Sequence, residues 1–446
     1  MRFYDREQEL ESMARTREIA FTKVSQMTVL TGRRRLGKTK LMLKSCEGSP
    51  TVYLFVSRSS EGVLCQQFTE IARASLGVFI PDGISSFRDL FRLLMEIGKQ
   101  TAYNLIIDEF QELININGAV FSDIQNIWDS TKDAARVNLI VSGSVYSLMH
   151  RIFMNYREPL YGRASSIMRL KPFPASVLKR ILADHYPDYD NDDLLALYAF
   201  TGGVPKYVEL LMDGGTFTVE TMIGQMVREN SVFLEEGNIM LIQEFGKKYG
   251  NYYAILSAIA SGFNETSRIA VITGQKSLGG SLQRLEEDYD LIVRRRPVKA
   301  KEGTQTVRYE IKDHFLRFWL RYIVKHQSLV QSEKFEELRS LIMRDYPTFS
   351  GKELEAYFRD LLVETRPIKE IGSWWESTRG KSDDTAQHEI DIVALYLEER
   401  KVLLAEVKRH RKNFDPERFQ QKVELIKHRL FSRYQIETRC LTLEDM

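Results

Sequence analysis

The pattern Gly-x-x-x-x-Gly-Lys-Thr, at residues 32–39, constrains the fold of this chain more than any other feature of the sequence. It directly follows the apolar run Met27–Thr31, a context that predicts a strand, a glycine-bracketed loop and then a helix. A loop of this kind turns successive backbone N–H groups towards phosphates, which the N-terminus of the following helix also attracts. In this geometry Lys38 reaches the β- and γ-phosphates, and the hydroxyl of Thr39 binds Mg²⁺. The sequence therefore predicts a site for ATP and Mg²⁺. The residues expected to contact the nucleotide are Gly32, Arg33, Arg34, Arg35, Leu36, Gly37, Lys38, Thr39 and Lys40.

The composition is that of an ordinary globular protein, with 43% hydrophobic and 28% charged residues. At 446 residues the chain is too long for one hydrophobic core, and its length predicts about three domains. The net charge of +2 excludes a polycation, so any affinity for nucleic acid must come from local basic patches. The three cysteines form no C-x-x-C pair, which argues against a disulfide framework or a zinc site. The charged N-terminus and the lack of an apolar stretch of about 20 residues predict a cytoplasmic protein with no membrane partner.

Two carboxylates end a second apolar run, which spans residues 104–107 and is followed by Asp108 and Glu109. A buried parallel strand has this pattern, and α/β sheets bind their ligands at the carboxyl ends of such strands. Asp108 is expected to hold Mg²⁺ through water, and Glu109 to polarise the water that attacks the γ-phosphate.

A third apolar run, Val137–Val141, leads into Ser142-Gly143-Ser144. A hydroxyl at this position would sense the γ-phosphate from the neighbouring strand, and a simple polar turn is the open alternative. Arg163 follows on a loop, where an arginine finger would stabilise charge on the transferred phosphoryl group. A solvated surface arginine is the alternative for this residue.

The order of these motifs resembles the archaeal-type ATPase family, whose members are related to the AAA+ and STAND ATPases. The resemblance covers about the first half of the chain. It implies that Glu109 is the catalytic glutamate and that Arg163 is a finger acting across a subunit contact, hence a homo-oligomer. The motifs that carry it are Tyr4-Asp5-Arg6-Glu7, the Gly32–Thr39 loop, Ile107-Asp108-Glu109-Phe110-Gln111, Ser142-Gly143-Ser144, Pro159-Leu160-Tyr161-Gly162-Arg163 and Thr201-Gly202-Gly203-Val204-Pro205.

The middle of the chain predicts two smaller domains. Residues 171–240 are mostly helical, with a tight bend at Thr201–Pro205, and correspond to the lid in the family resemblance. Residues 241–326 predict three helices followed by a β-hairpin, which is the order of a winged helix. The hairpin is rich in basic residues, so it contacts either a DNA backbone or another protein surface. Its basic residues are Arg294, Arg295, Arg296, Lys299 and Lys301.

The C-terminal segment, residues 327–446, carries a second group of charged residues on two predicted strands. Glu406 and Lys408 alternate along one strand and so project to the same face, which Asp391 on the neighbouring strand also reaches. Two carboxylates beside a lysine would form a pocket for Mg²⁺ or Mn²⁺, in which Lys408 positions the water that attacks a phosphodiester or helps to deprotonate it. The alternative is a surface hairpin with ordinary alternating charges. Asp391 lies in an otherwise apolar strand, where an unpaired carboxylate would be unfavourable.

This segment is similar to the domain that follows many archaeal-type ATPases, which in turn resembles PD-(D/E)xK nucleases. The resemblance implies that Glu355 is the helical acid, Asp391 the metal aspartate, and Glu406 with Lys408 the E-x-K motif. Ile390 replaces the proline of that motif. A basic stretch after Lys408 either binds the substrate backbone or begins a solvated helix. Gln420, further along the chain, is an auxiliary candidate.

The sequence as a whole predicts an α/β chain in four parts. A P-loop ATPase core with a parallel sheet, residues 1–170, precedes a helical lid, residues 171–240. A winged helix, residues 241–326, precedes a restriction-endonuclease-like α/β domain, residues 327–446. The leading hypothesis is an ATPase that couples its nucleotide state to a nuclease acting on DNA. The alternative is a nucleotide-switched regulator or scaffold that binds DNA or protein and cleaves nothing.

Overall fold

A computed structural model describes residues 1–246, 249–275, 277–301, 303–304, 306–375, 389–397 and 400–446. The chain divides into two compact units. One is Asp5–Lys171, and the other joins Met1–Tyr4 to Pro172–Met446. Within the described ranges, no helix combines the length and the apolar character that a membrane crossing requires.

The first unit is built on a parallel five-stranded sheet with the strand order β2-β3-β4-β1-β5. Every residue of β3 and β4 is buried, as expected for central strands covered by helices on both faces. The predicted α/β class with a parallel sheet is confirmed. The strands are β1 (Gln26–Thr31), β2 (Thr51–Phe55), β3 (Tyr103–Asp108), β4 (Val137–Ser142) and β5 (Ser166–Arg169).

Helices connect these strands, because parallel neighbours require crossover connections. In α4, apolar residues recur at helical spacing and are buried in the core, and the Ser86 hydroxyl caps the helix by accepting the N–H of Asp89. The helices are α1 (Glu7–Thr22), α2 (Lys38–Ser45), α3 (Glu61–Leu76), α4 (Phe87–Ile97), α5 (Val120–Thr131) and α6 (Tyr146–Met154), with a 3₁₀ turn at Phe110–Asn115.

The second unit begins with five helices, interrupted by the predicted bend. Gly202 ends α8 with φ 56°, and Gly203 follows with φ 73°. A Cβ on Gly203 would lie 2.1 Å from the carbonyl oxygen of Phe173, so this position accepts only glycine. Pro205 then begins α9, where its fixed φ suits a first helical residue. The helices are α7 (Ala175–His185), α8 (Asn191–Thr201), α9 (Pro205–Asp213), α10 (Val219–Met226) and α11 (Val232–Phe245).

Three helices and an antiparallel pair of strands follow, in the order that the sequence predicts. The pair aligns Ile292 with Ile311, and Val298, in the connection between the strands, is buried in the core of the C-terminal sheet. The hairpin is therefore packed against the C-terminal part of the unit. The elements are α12 (Tyr249–Ala260), α13 (Thr266–Thr273), α14 (Gly279–Glu287), β6 (Ile292–Arg295) and β7 (Arg308–Ile311).

The C-terminal part is a four-stranded mixed sheet with the order β11-β10-β9-β8, in which only β10 and β11 run parallel. A long helix, α17, precedes the sheet, and α18 connects its last two strands. The elements are α15 (His314–Phe318), a π-helical turn (Trp319–Val324), α16 (Gln327–Gln331), α17 (Phe335–Thr365), β8 (Ile368–Trp375), β9 (Glu389–Tyr396), β10 (Lys401–Val407), α18 (Pro416–Leu430) and β11 (Gln435–Leu441), with 3₁₀ turns at Arg411–Asn413 and Leu443–Asp445.

The predicted boundary between residues 170 and 171 lies one residue from the division at Lys171. The three domains predicted after it lie together in one compact unit. A buried cluster contributes to this, since Glu353 of α17 pairs with His314 and Arg317 of α15. Tyr198 of α8 also packs edge-on against the ring of His314, at 4.5 Å between ring centroids.

Candidate functional site

The loop between β1 and α2 has the backbone geometry of a phosphate-binding turn. Arg35 and Gly37 adopt positive φ angles of 69° and 83°. A Cβ on Gly32 would lie 2.9 Å from the carbonyl oxygen of Leu170, so the loop runs against neighbouring backbone there. The buried amine of Lys38 donates to the carbonyl oxygens of Gly32 (2.8 Å) and Arg33 (2.9 Å). The Lys38 side chain thus reaches back across the Gly32–Thr39 loop to its first residues.

Asp108 lies at the carboxyl end of β3 and accepts hydrogen bonds from hydroxyl groups of three other elements. The Thr39 hydroxyl donates to one carboxylate oxygen over 2.7 Å, and the Tyr53 hydroxyl donates to the same oxygen over 3.0 Å. Ser142, at the end of β4, donates to the other oxygen. Burial and the charge of Asp108 raise the pKa of Tyr53, which keeps its hydroxyl protonated and able to donate.

Thr39 and Asp108 fit a magnesium ion by the chemistry of their donor atoms. Both offer hard oxygen ligands, which Mg²⁺ prefers, and these oxygens already lie within hydrogen-bond distance of each other. Both residues stand at the carboxyl edge of the sheet beside the Gly32–Thr39 loop, because α2 follows β1 directly and β3 is separated from β1 only by β4.

Glu109 adopts a left-handed backbone conformation, with φ 55°, directly after β3. Its carboxylate accepts hydrogen bonds from the side-chain amide of Gln111 (2.6 Å) and from the hydroxyl of Ser144 (2.8 Å). A Cβ on Gly143 would lie 2.2 Å from the amide oxygen of Gln111, so the glycine leaves space for this side chain. A non-glycine residue with positive φ is uncommon, and such conformations cluster at functional sites.

Arg163 lies far from this group of residues within its own unit. The neighbouring Ser165 N–H donates to the carbonyl of Met27, at the start of β1, whereas the loop begins after the end of β1. The guanidinium of Arg163 pairs with Asp129 at 3.2 Å and donates to the carbonyl of Tyr161 at 2.8 Å. The structure therefore places Arg163 at the opposite edge of the sheet from Lys38 of the same chain.

Arg169, which the sequence analysis did not single out, lies at the carboxyl edge of the sheet, the same edge as the Gly32–Thr39 loop. It ends β5 in register with Thr31, the last residue of β1, and its guanidinium lies over the ring of Tyr146 at 4.7 Å. Tyr53 was also missed. Both residues are contributed by neighbouring strands, and only the observed strand order brings them to this edge.

A second group of charged side chains lies on the C-terminal sheet. The amine of Lys408 is 3.0 Å from Glu406 and 3.8 Å from Asp391, and the N–H of Val407 donates to Asp391 over 2.8 Å. The structure thus brings Asp391, Glu406 and Lys408 together. Burial, reinforced by the charges of Glu355 and Glu406, raises the pKa of Asp391 to about 7.

Glu355 of α17 lies beside this group and carries its own cationic partners. Its carboxylate pairs with Lys352 at 3.0 Å and with Arg359 at 3.9 Å. Arg359 also donates to the hydroxyl of Ser373, which in turn donates to the carbonyl oxygen of Asp391 over 2.8 Å.

Lys422 of α18 is a member of the group that the sequence analysis did not assign. Its amine lies 3.1 Å and 3.2 Å from the two carboxylate oxygens of Glu406, and its side chain is buried. Gln420, the auxiliary candidate, lies instead on the exposed face of the helix and donates to Glu424 over 3.1 Å.

The carboxylates of this group fit a hard divalent cation by their donor chemistry. Their spacing is less favourable. Among the residues that the structure describes, no three His, Cys, Asp or Glu side chains are close enough to hold a metal ion. The amines of Lys408 and Lys422 both lie against Glu406.

Comparison with known proteins gives the family of the chain. A family model for an ATPase domain found predominantly in Archaea matches residues 3–211. A second model, for archaeal and bacterial proteins of unknown function, matches residues 319–419. An uncharacterized protein of Methanocaldococcus jannaschii is 30% identical over 417 residues, which cover 91% of this chain and 87% of the relative.

Among solved structures, a Walker-type ATPase of Pyrococcus abyssi is similar, with a TM-score of 0.54 and 21% identity, covering 72% of this chain and 96% of that one. The ORC2 protein of Aeropyrum pernix, in its ADPNP–ADP complexes, gives a TM-score of 0.48 and 12% identity, covering 74% and 95%. The first of these likenesses agrees with the parallel-sheet fold. The chain belongs to the archaeal-type ATPase family, whose P-loop domain binds and hydrolyses ATP.

Proposed function

We propose that this chain hydrolyses ATP at the Gly32–Thr39 loop and that its nucleotide state controls a metal-dependent phosphodiesterase site at Asp391, Glu406 and Lys408. The observation that carries the first half is the hydrogen bond of 2.7 Å between Thr39 and Asp108, which joins the loop to the acid at the end of β3. The second half depends on the position of the Lys408 amine beside Asp391 and Glu406.

At the first site each residue has a separate role. The backbone N–H groups of the loop and the amine of Lys38 bind the phosphates, and Lys38 exchanges its carbonyl partners for phosphate oxygens. Thr39 and Asp108 would hold Mg²⁺, which neutralises charge on the phosphates when bound. Glu109, held by Gln111 and Ser144, orients the attacking water and accepts its proton.

Lys38→Ala tests the first site. We expect ATP turnover to fall by about a hundredfold or more, because the variant lacks the cation that contacts the transferred phosphate. The matched control is Lys44→Ala, which removes an exposed lysine near the end of α2. Undiminished turnover in Lys38→Ala would refute the assignment.

At the second site, Asp391 and Glu406 would hold Mg²⁺ or Mn²⁺, which supplies charge stabilisation to a phosphodiester when bound. Lys408 would position the attacking water, since its ammonium group already lies between the two acids. Glu355 contributes negative charge from α17. The substrate of this proposed activity is DNA.

A second candidate function has a specific observation in its favour. Glu406 is already neutralised by two amines, and no described cluster of acids has metal-binding spacing. These contacts favour a regulator or scaffold that changes state with ATP, binds DNA or protein, and cleaves neither.

A cleavage assay separates the two candidates. The protein is incubated with single-stranded and duplex DNA, with Mn²⁺ or Mg²⁺ and with or without ATP. We expect cleavage by the wild type to be lost in Asp391→Asn and Lys408→Ala and kept in Glu417→Gln, an exposed acid of α18. Equal cleavage by all variants, or none on any substrate, would favour the regulator.

A further inference from the structure

A cavity of about 280 Å³ lies beside the C-terminal site, within the second compact unit. Its walls come from the β6–β7 hairpin, the middle of α17, and strands β8 and β9. Glu355 and Ser373 line it, and Ser373 contacts the backbone of Asp391. The volume is near the lower end of the range for small-molecule sites, roughly 300–1,000 Å³.

Among the charged side chains of the cavity wall, cations outnumber carboxylates. Three of its carboxylates each have an arginine partner: Glu310 pairs with Arg295, Glu353 with Arg317, and Glu389 with Arg308. The fourth, Glu355, faces two cations, Lys352 at 3.0 Å and Arg359 at 3.9 Å. The five cations in these pairs outnumber the four carboxylates by one, and the charge of Arg359 also acts on Glu310.

Arg359 is the cation best placed to take an anion. Among the described residues its hydrogen bond to Ser373, at 3.2 Å, is the single one that it makes. A guanidinium carries five N–H donors, and its planar arrangement matches a phosphate group. Its side chain is largely buried, at 12% exposed, so an anion that reaches it leaves water.

Aromatic rings also line this cavity, in addition to the charged side chains. Trp375, Phe349 and Tyr309 all line it, and each is more than nine-tenths buried. Arg308 lies over the indole of Trp375 at 4.5 Å. Any of the four nucleobases can stack on aromatic rings of this kind, and cationic groups beside the rings can bind the phosphate of the same nucleotide.

We infer that this cavity binds one nucleotide of single-stranded DNA, with the base against Trp375 and Phe349 and the phosphate at Arg359 and Lys352. A base inside a duplex is stacked and paired, so it enters such a cavity only when it is unpaired or at a strand end. The inference rests on the proposed phosphodiesterase site, since Glu355 belongs to both, and it gives that site a single-stranded substrate.

Binding is measured in EDTA, which prevents cleavage, on the full chain carrying Lys38→Ala, so that nucleotide binding at the loop does not contribute. The probes are a fluorescein-labelled oligothymidylate, the same strand in a duplex, and free thymidine monophosphate as competitor. Fluorescence anisotropy reports the affinity. The variants are Arg359→Gln, Trp375→Leu and Trp375→Phe, with the exposed Arg433→Gln as control.

We expect the oligothymidylate to bind more tightly than the duplex and to lose about tenfold in affinity in Arg359→Gln and in Trp375→Leu. Trp375→Phe, which keeps a smaller ring, should lose less affinity than Trp375→Leu, and Arg433→Gln should bind as the parent does. Competition by thymidine monophosphate would show that the cavity also takes a free nucleotide, whereas failure to compete would assign it to a strand.

Equal affinity for the duplex, or unchanged affinity in Arg359→Gln and in Trp375→Leu, would overturn the inference. The failure of the phosphodiesterase proposal is separate. Binding that follows this pattern in a protein that cleaves no DNA would reject the enzyme and keep the cavity. Cleavage without this pattern of binding would reject the cavity alone.

Discussion

Lys422 of α18 and Glu406 of β10 form a buried ion pair, with the Lys422 amine 3.1 Å and 3.2 Å from the two carboxylate oxygens. Lys408 contacts the same carboxylate from along its own strand, at 3.0 Å. Glu406 is therefore held between two ammonium groups. Removing one of these ammonium groups therefore tests how much the contacts of Glu406 contribute to the free energy of unfolding.

We expect Lys422→Met to lower the free energy of unfolding by about 1–3 kcal/mol, because a buried carboxylate loses one of its two charged partners. Combined with Glu406→Gln, the loss should be smaller than the sum of the two single losses by about 1–3 kcal/mol. Denaturant unfolding measures all three variants.

The ion pair Lys427–Glu424, at 3.3 Å and half exposed on the same helix, is the control for this cycle. Its coupling should stay below about 1 kcal/mol, since water screens exposed pairs. Additive losses for Lys422 and Glu406 would mean that the two side chains stabilise the fold independently of each other.

Glu109→Gln should lower ATP turnover by about 10²–10⁴-fold, because the amide cannot accept the proton of the attacking water. Affinity for ATP should stay within a few-fold, since the Gly32–Thr39 loop is unchanged. Steady-state hydrolysis and equilibrium nucleotide binding separate the two quantities. Glu112→Gln, in the same turn, is the control. Loss of both turnover and affinity would give Glu109 a structural role instead.

Local patterns predicted the parts of the ATP site that are close in sequence. The run before Asp108 is a strand with every residue buried, and the Gly32–Thr39 loop stands between a strand and a helix. Each of these depends on a few consecutive residues, so a single sequence carries the information. The same holds for the bend at Gly202 and Gly203, where both residues have positive φ and the backbone of Phe173 lies too close to Gly203 for a Cβ.

Residues that reach a site from other elements could not be predicted in this way. The pattern of α18 is that of an amphipathic helix, and only the packing of that helix on β10 turns Lys422 towards Glu406. Tyr53 meets Asp108 because β2 is the neighbour of β3, which no local pattern specifies. Strand order and helix packing, rather than motif recognition, determine these contacts.

Arg163 lies at the opposite sheet edge from the ATP loop of its own chain, so a finger role requires a second subunit. We expect Arg163→Ala to lower turnover by about 10³-fold or more. Mixing this variant with Lys38→Ala should restore activity, because hybrid contacts join an intact loop to an intact arginine. Turnover of the mixture, titrated against each variant alone, measures this effect.

Arg157→Ala, on the same loop, is the control for Arg163→Ala and should keep wild-type turnover. A mixture that stays inactive would contradict action across a subunit contact. Wild-type turnover in Arg163→Ala itself would leave the residue with its surface ion pair to Asp129 as its role.

Asp391 should make the stability of the second unit depend on pH. The folded protein keeps this proton up to a pH of about 7, whereas the unfolded chain releases it near the usual value of 3.8. Between these values the unfolded chain binds fewer protons, so the free energy of unfolding falls as pH rises. Asp391→Asn stays neutral and still offers an oxygen to the N–H of Val407, so it should not show this fall.

The melting temperature of the wild type should therefore drop relative to Asp391→Asn between pH 5 and pH 8, by about 2–4 °C for each kcal/mol of destabilisation. Glu417→Gln should follow the wild type across this range, because Glu417 is exposed to solvent and Asp391 is unchanged in this variant.

At pH 8 the Asp391 carboxylate of the wild type carries the negative charge that binding of a divalent cation requires. Mn²⁺ should then raise its melting temperature and leave that of Asp391→Asn unchanged. Parallel melting curves of the two proteins at every pH would contradict the raised pKa. An equal response of both proteins to Mn²⁺ would place any bound metal ion away from Asp391.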